Sequence, residues 1–322
     1  MQRLLLPLVL TFTLLPLVSA ETIVLKAGHS ANPDEPYHIG LQAFADEVKA
    51  RTDGRVEIQI FPNNQLGNEK EMIEGLLLGT VDITVPSNGV VTNFVPELGI
   101  FDLPFLFRDR EHMYKVMDGP VGQELDAAMA AKGFKLLAFY EAGIRHIMTT
   151  KKPIEKYEDL AGMKIRTMQV PAHVAAFNAF NANATPMAYS ELYGALQAGV
   201  IDGAEAANTN YNSKKFYEVA PYWATVAWTA LVADLIMSKE KFDSLPADIQ
   251  QILVASALKS AAVERKTYAE SDASLLSVLQ TQGVKVSNPD TAPFREASKA
   301  VYEEFVKTPA QKAMLEQILS TE

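Results

Sequence analysis

Two arginines stand out among the residues able to do chemistry. Arg166 sits near the end of Gly162-Met-Lys-Ile-Arg-Thr167, a short strand entered from a turn and followed by the loop residues Gln169 and Pro171. An arginine at the carboxyl end of a strand can offer its planar fork to a carboxylate through two parallel, charge-assisted bonds. The same spacing also suits a strand-end arginine that only meets solvent. Arg145 follows Gly143 at the start of a strand leading from one half of the chain to the other. There it can reach a ligand or make an ordinary interlobe salt bridge. Asn208, beyond Asp202-Gly203, is placed either to hydrogen-bond a ligand hydroxyl or to make a turn. Trp223 and Trp228 could cage a quaternary amine, or pack in a core or hinge.

Other chemistry leaves no mark. The sequence has no G-x-S-x-G elbow, G-x-G-x-x-G turn, P-loop or H-E-x-x-H helix. Its five histidines (His29, His38, His112, His146 and His173) include no i, i+4 pair that would make a helical metal face. The absence of cysteine excludes disulfides, thiolate nucleophiles and Cys-ligated zinc. No catalytic set, cofactor or metal site is therefore expected. A net charge of −10 argues against a nucleic-acid partner, which wants surplus Lys and Arg, but leaves room for a small anion held by one or two cations.

The elements that must position these residues alternate between strand and helix. Thr22–Ala27 reads as a strand, Tyr37–Arg51 as a helix with Leu41, Phe44, Ala45 and Val48 on one face, and Val56–Phe61 as a half-buried strand. Asn68–Leu78 reads as a helix stopped by Gly79, followed by a short buried strand at Val81–Val85. Such βαβα order points to parallel sheets covered by helices. Glu71-Met-Ile-Glu-Gly-Leu-Leu-Leu-Gly79-Thr-Val-Asp82 then lines up, without a gap, with Glu191-Leu-Tyr-Gly-Ala-Leu-Gln-Ala-Gly199-Val-Ile-Asp202. The echo is either chance between two βαβ units or the mark of two similar lobes. Strands at Phe134–Tyr140, Ile144–Thr150 and Val226–Ser238 would link the halves. A long helix runs from about Leu245-Pro-Ala-Asp248 to Gln282, ahead of Gly283.

The chain of 322 residues can bury one large core or two smaller ones, and 48% hydrophobic with 21% charged residues is an ordinary globular balance. Its first twenty residues follow different rules. A positive start at Arg3, an apolar run over Leu4–Val18 and the small-residue site Val18-Ser19-Ala20 predict an export signal cleaved after Ala20. The alternative is an anchor left in place.

A set of segments in order gives the chain a family resemblance. They are Asn32-Pro-Asp-Glu-Pro-Tyr-His38, Thr52-Asp-Gly-Arg55, Phe61-Pro-Asn-Asn-Gln-Leu-Gly67, Gly79-Thr-Val-Asp82 and Leu103-Pro-Phe-Leu-Phe107 in the first half. The second half adds Asp159-Leu-Ala-Gly-Met-Lys-Ile-Arg166, Ala184-Thr-Pro-Met187, Glu191-Leu-Tyr-Gly-Ala-Leu-Gln197 and Gly199-Val-Ile-Asp-Gly203. Together they resemble the DctP-type solute-binding proteins of tripartite ATP-independent periplasmic (TRAP) transporters, over essentially the whole mature chain.

The resemblance implies an α/β, two-lobe periplasmic binding protein fold, with hinged lobes, interlobe strands and a long C-terminal helix across both. Residues 21–143 with about 230–255 would form lobe I, and 144–229 with about 256–322 lobe II. It implies a periplasmic receptor, not an enzyme, that captures an organic acid and delivers it to the small and large membrane subunits of a TRAP permease. A sugar acid such as a uronate or aldonate is the leading expectation, then a small mono- or dicarboxylate. A zwitterion such as an ectoine- or taurine-like solute is the alternative on the same fold, and a secreted α/β enzyme or a fixed sensor module stands further off. By the same resemblance Arg166 clamps the ligand carboxylate and Arg145 adds a second contact. Glu69 accepts ligand hydroxyls, and Asn88 and His29 lie where cleft contacts fall. The family often reads D-G-x-E-N after the second-lobe strand, whereas this chain reads Asp202-Gly-Ala-Glu-Ala-Ala-Asn208. Either Ala206 takes the asparagine's place or Asn208 reaches in from further along.

Overall fold

The computed structural model describes residues 22–322; the export signal expected over residues 1–20 lies outside the described residues. β1 (Ile23–Gly28) leads to α1 (Pro36–Arg51), which turns Leu41, Phe44, Ala45 and Val48 inward on the expected spacing. β2 (Val56–Phe61) follows, then α2 (Glu69–Leu78). Asn68 caps α2 by accepting from the Glu71 amide, while the Glu71 carboxylate accepts from the Asn68 amide, so two orphan donors are satisfied reciprocally. β3 (Ile83–Thr84) is shorter than the apolar run Val81–Val85 suggested, because only Ile83 and Thr84 find partners on both sides. Three helices, α3 (Asn88–Val91), α4 (Arg110–Asp118) and α5 (Pro120–Ala131), lead to β4 (Phe134–Thr149).

The second half repeats the plan with β5 (Lys164–Thr167), α6 (Pro171–Ala179), β6 (Asn183–Pro186), α7 (Leu192–Gln197), β7 (Gly203–Ala206) and α8 (Asn208–Ser213). The chain then returns along β8 (Tyr222–Ser238) and continues through α9 (Lys239–Ser244), α10 (Ala247–Thr281), β9 (Lys285–Ser287), α11 (Ala292–Phe305) and α12 (Pro309–Ser320). In the strand order β2-β1-β3-β8-β4-β7-β5-β6, with β9 beside β8, each edge begins with the second, first and third strands of its own half. In lobe I, β1 lies between its parallel neighbours β2 and β3; in lobe II, β5 lies between β6 and β7.

The sequence echo has a physical basis in this arrangement. Asp82 accepts from the Lys26 amide at 2.8 Å and Asp202 from the Lys164 amide at 2.9 Å, each tying its own strand to the start of the central one. On this equivalence Lys26 matches Lys164, and Gly28 holds the place that Arg166 holds in lobe II. The two lobes thus share a frame, and only one carries the cation.

β4 and β8 run antiparallel through both lobes. Their pairing shifts register near Leu136, Glu141 and Arg145. The two strands expected at Phe134–Tyr140 and Ile144–Thr150 are therefore one continuous, bent strand. Gly143 lies within the bend at φ 83°, where a β-carbon would stand 2.5 Å from the Tyr268 ring and 2.6 Å from Ala207. Only glycine meets both demands. The long helix α10 packs on α1, on β4 and on α8, and so lies across both lobes. No helix among the described residues is long and apolar enough to cross a membrane.

Candidate functional site

The lobes face each other across a narrow cavity of about 50 Å³. Lobe I contributes Ser30 and Tyr37, Asn68 and Glu69 at the start of α2, and Ser87 before α3; lobe II contributes Arg166, Gln169, Met187, Tyr189 and Asn210; Arg145 comes from β4 between them.

Arg166 is 2% exposed. Its Nε and Nη2 donate to the Met187 carbonyl at 3.1 and 2.9 Å, and its Nη1 to Glu205 Oε1 at 3.4 Å. Three of the five N–H bonds of a guanidinium are so used, leaving one on each terminal nitrogen. Those two form the edge that takes a carboxylate side by side.

Glu205 of β7 is fully buried and lies between the two arginines. Arg145 donates Nε to Glu205 Oε2 at 2.6 Å and Nη1 to Ala142 O and Asn210 Oδ1 at 3.2 and 3.1 Å. Burial pushes the Glu205 carboxyl up, but the Arg145 and Arg166 charges outweigh it and hold it below the usual range. The partners divide this one anion unequally. Burial lowers both guanidiniums; the close Glu205 contact overcomes this at Arg145, which ends above its ordinary value, while Arg166, with the longer contact, stays below its own. Arg166 is thus a buried cation short of an anion, at the wall of a cavity.

The opposite wall is built to accept and donate hydrogen bonds. Glu69 Oε1 accepts from the Ser30 and Ser87 hydroxyls at 3.0 and 3.3 Å, and Oε2 from the Ser87 amide at 3.3 Å. Burial raises the Glu69 carboxyl, opposed by these hydrogen bonds and by Arg166. The Tyr189 hydroxyl is buried at the cavity without a hydrogen-bond partner among the described residues.

The structure brings Arg166, Arg145 and Glu69 together and leaves out the other expected residues. Asn208 is buried outside the cavity with Oδ1 accepting from the Trp223 indole at 3.0 Å; it is Asn210, two residues on and half a helical turn away, that faces the cavity. Asn88 turns its amide to Leu98 O and Asp102 Oδ1, both at 3.1 Å, and does not line the cavity. His29 is fully buried, accepting from the Ala31 amide and paired with His38; burial first, then His38 and Lys214, lower its pKa to about 3, so it is a neutral packing group. The two tryptophans form no cage. Trp223 stacks on Tyr211 at 4.1 Å between ring centroids, and Trp228 packs on His173 and Phe177. The residues missed by sequence reasoning are Glu205, Tyr189, Ser30, Ser87 and Asn210. Of these only Glu205 had a signal, in Asp202-Gly-Ala-Glu205.

Comparison with known proteins agrees with this architecture. The family model for bacterial extracellular solute-binding proteins, family 7 (DctP), matches residues 27–308. A solute-binding protein of Verminephrobacter eiseniae is 41% identical over 285 residues, 88% of this chain and 85% of that one. A TRAP periplasmic solute-binding protein of Polaromonas, solved with D-erythronate bound, superposes with a TM-score of 0.90 at 38% identity, covering 93% of this chain and 99% of that one. Its counterpart from Xanthobacter autotrophicus, solved with β-D-galacturonate bound, gives a TM-score of 0.90 at 35% identity, covering 92% and 100%. The chain belongs to the bacterial extracellular solute-binding proteins of family 7, the DctP type, whose members are periplasmic carboxylate receptors, not enzymes, working with TRAP membrane permease subunits.

Proposed function

We propose that this protein captures a sugar acid, a uronate or aldonate, between its lobes and passes it to the small and large membrane subunits of a TRAP permease. The observation that carries this reading is Arg166: a buried cation with one free N–H on each terminal nitrogen and only a long, shared contact to an anion. A ligand carboxylate supplies that anion. Arg145 stands beside it as a second cation, and Glu69, Ser30, Ser87 and Tyr189 suit the hydroxyls of a sugar acid better than a bare hydrocarbon chain. The acids bound by the Polaromonas and Xanthobacter proteins are of this class. The ligand bridges both lobes, so it favours the closed form by its differential affinity for it. In the same reading the leader is removed after Ala20, and the lobes divide as 21–143 with about 230–255, and 144–229 with about 256–322.

The test is calorimetric titration and thermal shift of the mature chain with β-D-galacturonate, D-erythronate, aldonates, succinate, ectoine and taurine. A sugar acid should bind, and Arg166→Ala should weaken it by about 3–5 kcal/mol, the scale on which a buried charge left without its partner costs. Binding of the same acid at near-wild-type strength by Arg166→Ala sinks the clamp. A zwitterion as the tightest ligand sinks the sugar-acid reading while leaving the receptor.

A further inference from the structure

Beside the cavity the lobes meet through a second set of polar contacts. Lys214, just past α8 on lobe II, gives its three ammonium protons to lobe I oxygens. These are Ser30 O at 3.2 Å, Asn32 Oδ1 at 2.6 Å and Asn63 Oδ1 at 2.8 Å. Asn32 returns its Nδ2 to Ser213 O at 3.0 Å. Asn210 of α8 donates Nδ2 to Glu35 Oε2 at 2.5 Å, and Glu35 Oε1 accepts from the Asn32 amide at 2.8 Å. Every partner on lobe I belongs to the β1–α1 loop or to the turn after β2. Every partner on lobe II belongs to α8 or its end.

We propose that Lys214, with Asn210 beside it, is a positioning residue for ligand capture: it clasps α8 to the β1–α1 loop and sets how often the receptor closes. This rests on the reading of the cavity as the ligand cleft.

The geometry favours the closed state in particular. An ammonium has three protons and here finds three acceptors, all on lobe I, so the three bonds form only when the lobes meet. Opening returns Lys214 and each acceptor to water, so each bond contributes modestly and the set acts as a bias, not a lock. Asn63, one of the three acceptors, stands at φ 54° in the left-handed region, and so does Lys215, the residue after Lys214. Burial lowers the Lys214 ammonium, opposed by Glu35 and Asp34. The clasp is also wired to the cation of the cleft. Asn210 Oδ1 accepts from Arg145, Arg145 holds Glu205, and Glu205 holds Arg166. A ligand that settles on Arg166 and a clasp that closes on Glu35 therefore share one hydrogen-bonded path.

The absence of cysteine makes a direct test simple, with Leu78→Cys on lobe I and Val200→Cys on lobe II, both exposed, as spin-label sites. The distance between labels is measured without ligand in the wild type, Lys214→Met and Asn63→Gly, and β-D-galacturonate is then titrated into each. Asn63→Gly removes an acceptor at a φ that glycine adopts freely, so it keeps the proposal testable where Lys214→Met folds poorly. The expected result is a ligand-free distribution shifted to longer distances and an affinity about tenfold weaker, because apparent affinity scales with the closed fraction. The double variant should lose less than the sum of the two losses, since both act on one contact. A ligand-free distribution unchanged in both variants overturns the clasp, as does strict additivity. If no acid binds the wild type, the sugar-acid reading fails, and the ligand-free distances still decide for or against the clasp.

Discussion

Gly89 of α3 approaches Val170, the residue before α6, so closely that a β-carbon built on it would lie 2.6 Å from Val170 Cγ2 and 2.9 Å from Cγ1. The two residues belong to different lobes, and the adjoining contact, Asn93 Nδ2 to Gln169 O at 3.0 Å, joins the same two lobes. Gly89→Ala therefore acts chiefly on the closed form. Ordinary contact begins at 3.4 Å, so Val170 or its lobe must retreat by 3.4 − 2.6 = 0.8 Å. Overpacking of that kind costs about 1–3 kcal/mol. Because an open form escapes the clash, the cost appears as lost affinity, about 5- to 150-fold. A smaller share falls on both forms, since Asp102 Oδ1 lies 3.1 Å from the same β-carbon within lobe I. Calorimetric titration with the acid identified by the ligand panel, alongside thermal melts, separates the two. The expected outcome is a clear loss of affinity with a small change in melting temperature, and recovery of affinity in Gly89→Ala with Val170→Ala. Unchanged affinity in the single variant, or a loss that Val170→Ala does not relieve, would refute the reasoning.

Two further substitutions test groups outside the cavity. Burial raises Asp102 to about 7, opposed by its bonds from Asn88 and Thr92, so the native state holds a proton that the unfolded chain releases above its ordinary 3.8. That contribution makes stability fall as pH rises from about 4 to about 7. Asp102→Asn should remove up to about 1.4 kcal/mol per pH unit of that downward slope, measured by urea unfolding at several pH values; an unchanged slope contradicts it. Asn208→Ala leaves the Trp223 indole without its acceptor and should lower stability by about 1–3 kcal/mol. Ligand affinity should stay at the wild-type level, and a selective loss of affinity would return Asn208 to the site.

The parts of this fold that could be read from residues alone are those set by short-range rules. α2 is legible because Gly79 stops it, and α10 because Pro246 and Gly283 bracket an unbroken helical pattern. The echo between Asp82 and Asp202 was legible because each aspartate ties the same backbone corner. The sequence predicts two strands, Phe134–Tyr140 and Ile144–Thr150, where the structure has one, because the residues between them bend β4 instead of ending it. The cavity was harder. Arg166 and Arg145 are candidates from their strand positions, which suit solvent or a salt bridge as well, and it is the family resemblance that points them at a ligand. The sequence points to Asn208 or Ala206 and not to Asn210, since which residue of a six-residue helix faces the cleft depends on how α8 packs against Trp223 and α10. Ser30, Ser87 and Tyr189 carry no local mark at all; loops more than fifty residues apart bring them together.

The long helix has a mechanical consequence. At about 1.5 Å per residue, 35 residues make a rod about 52 Å long. Its sequence from Ala247 to Thr281 holds no glycine and no proline, the usual sites of a sharp kink. A beam fixed along both lobes resists twisting and splaying more than it resists rolling about its own length. Rotation about the length of the rod is thus the relative movement of the lobes that α10 opposes least.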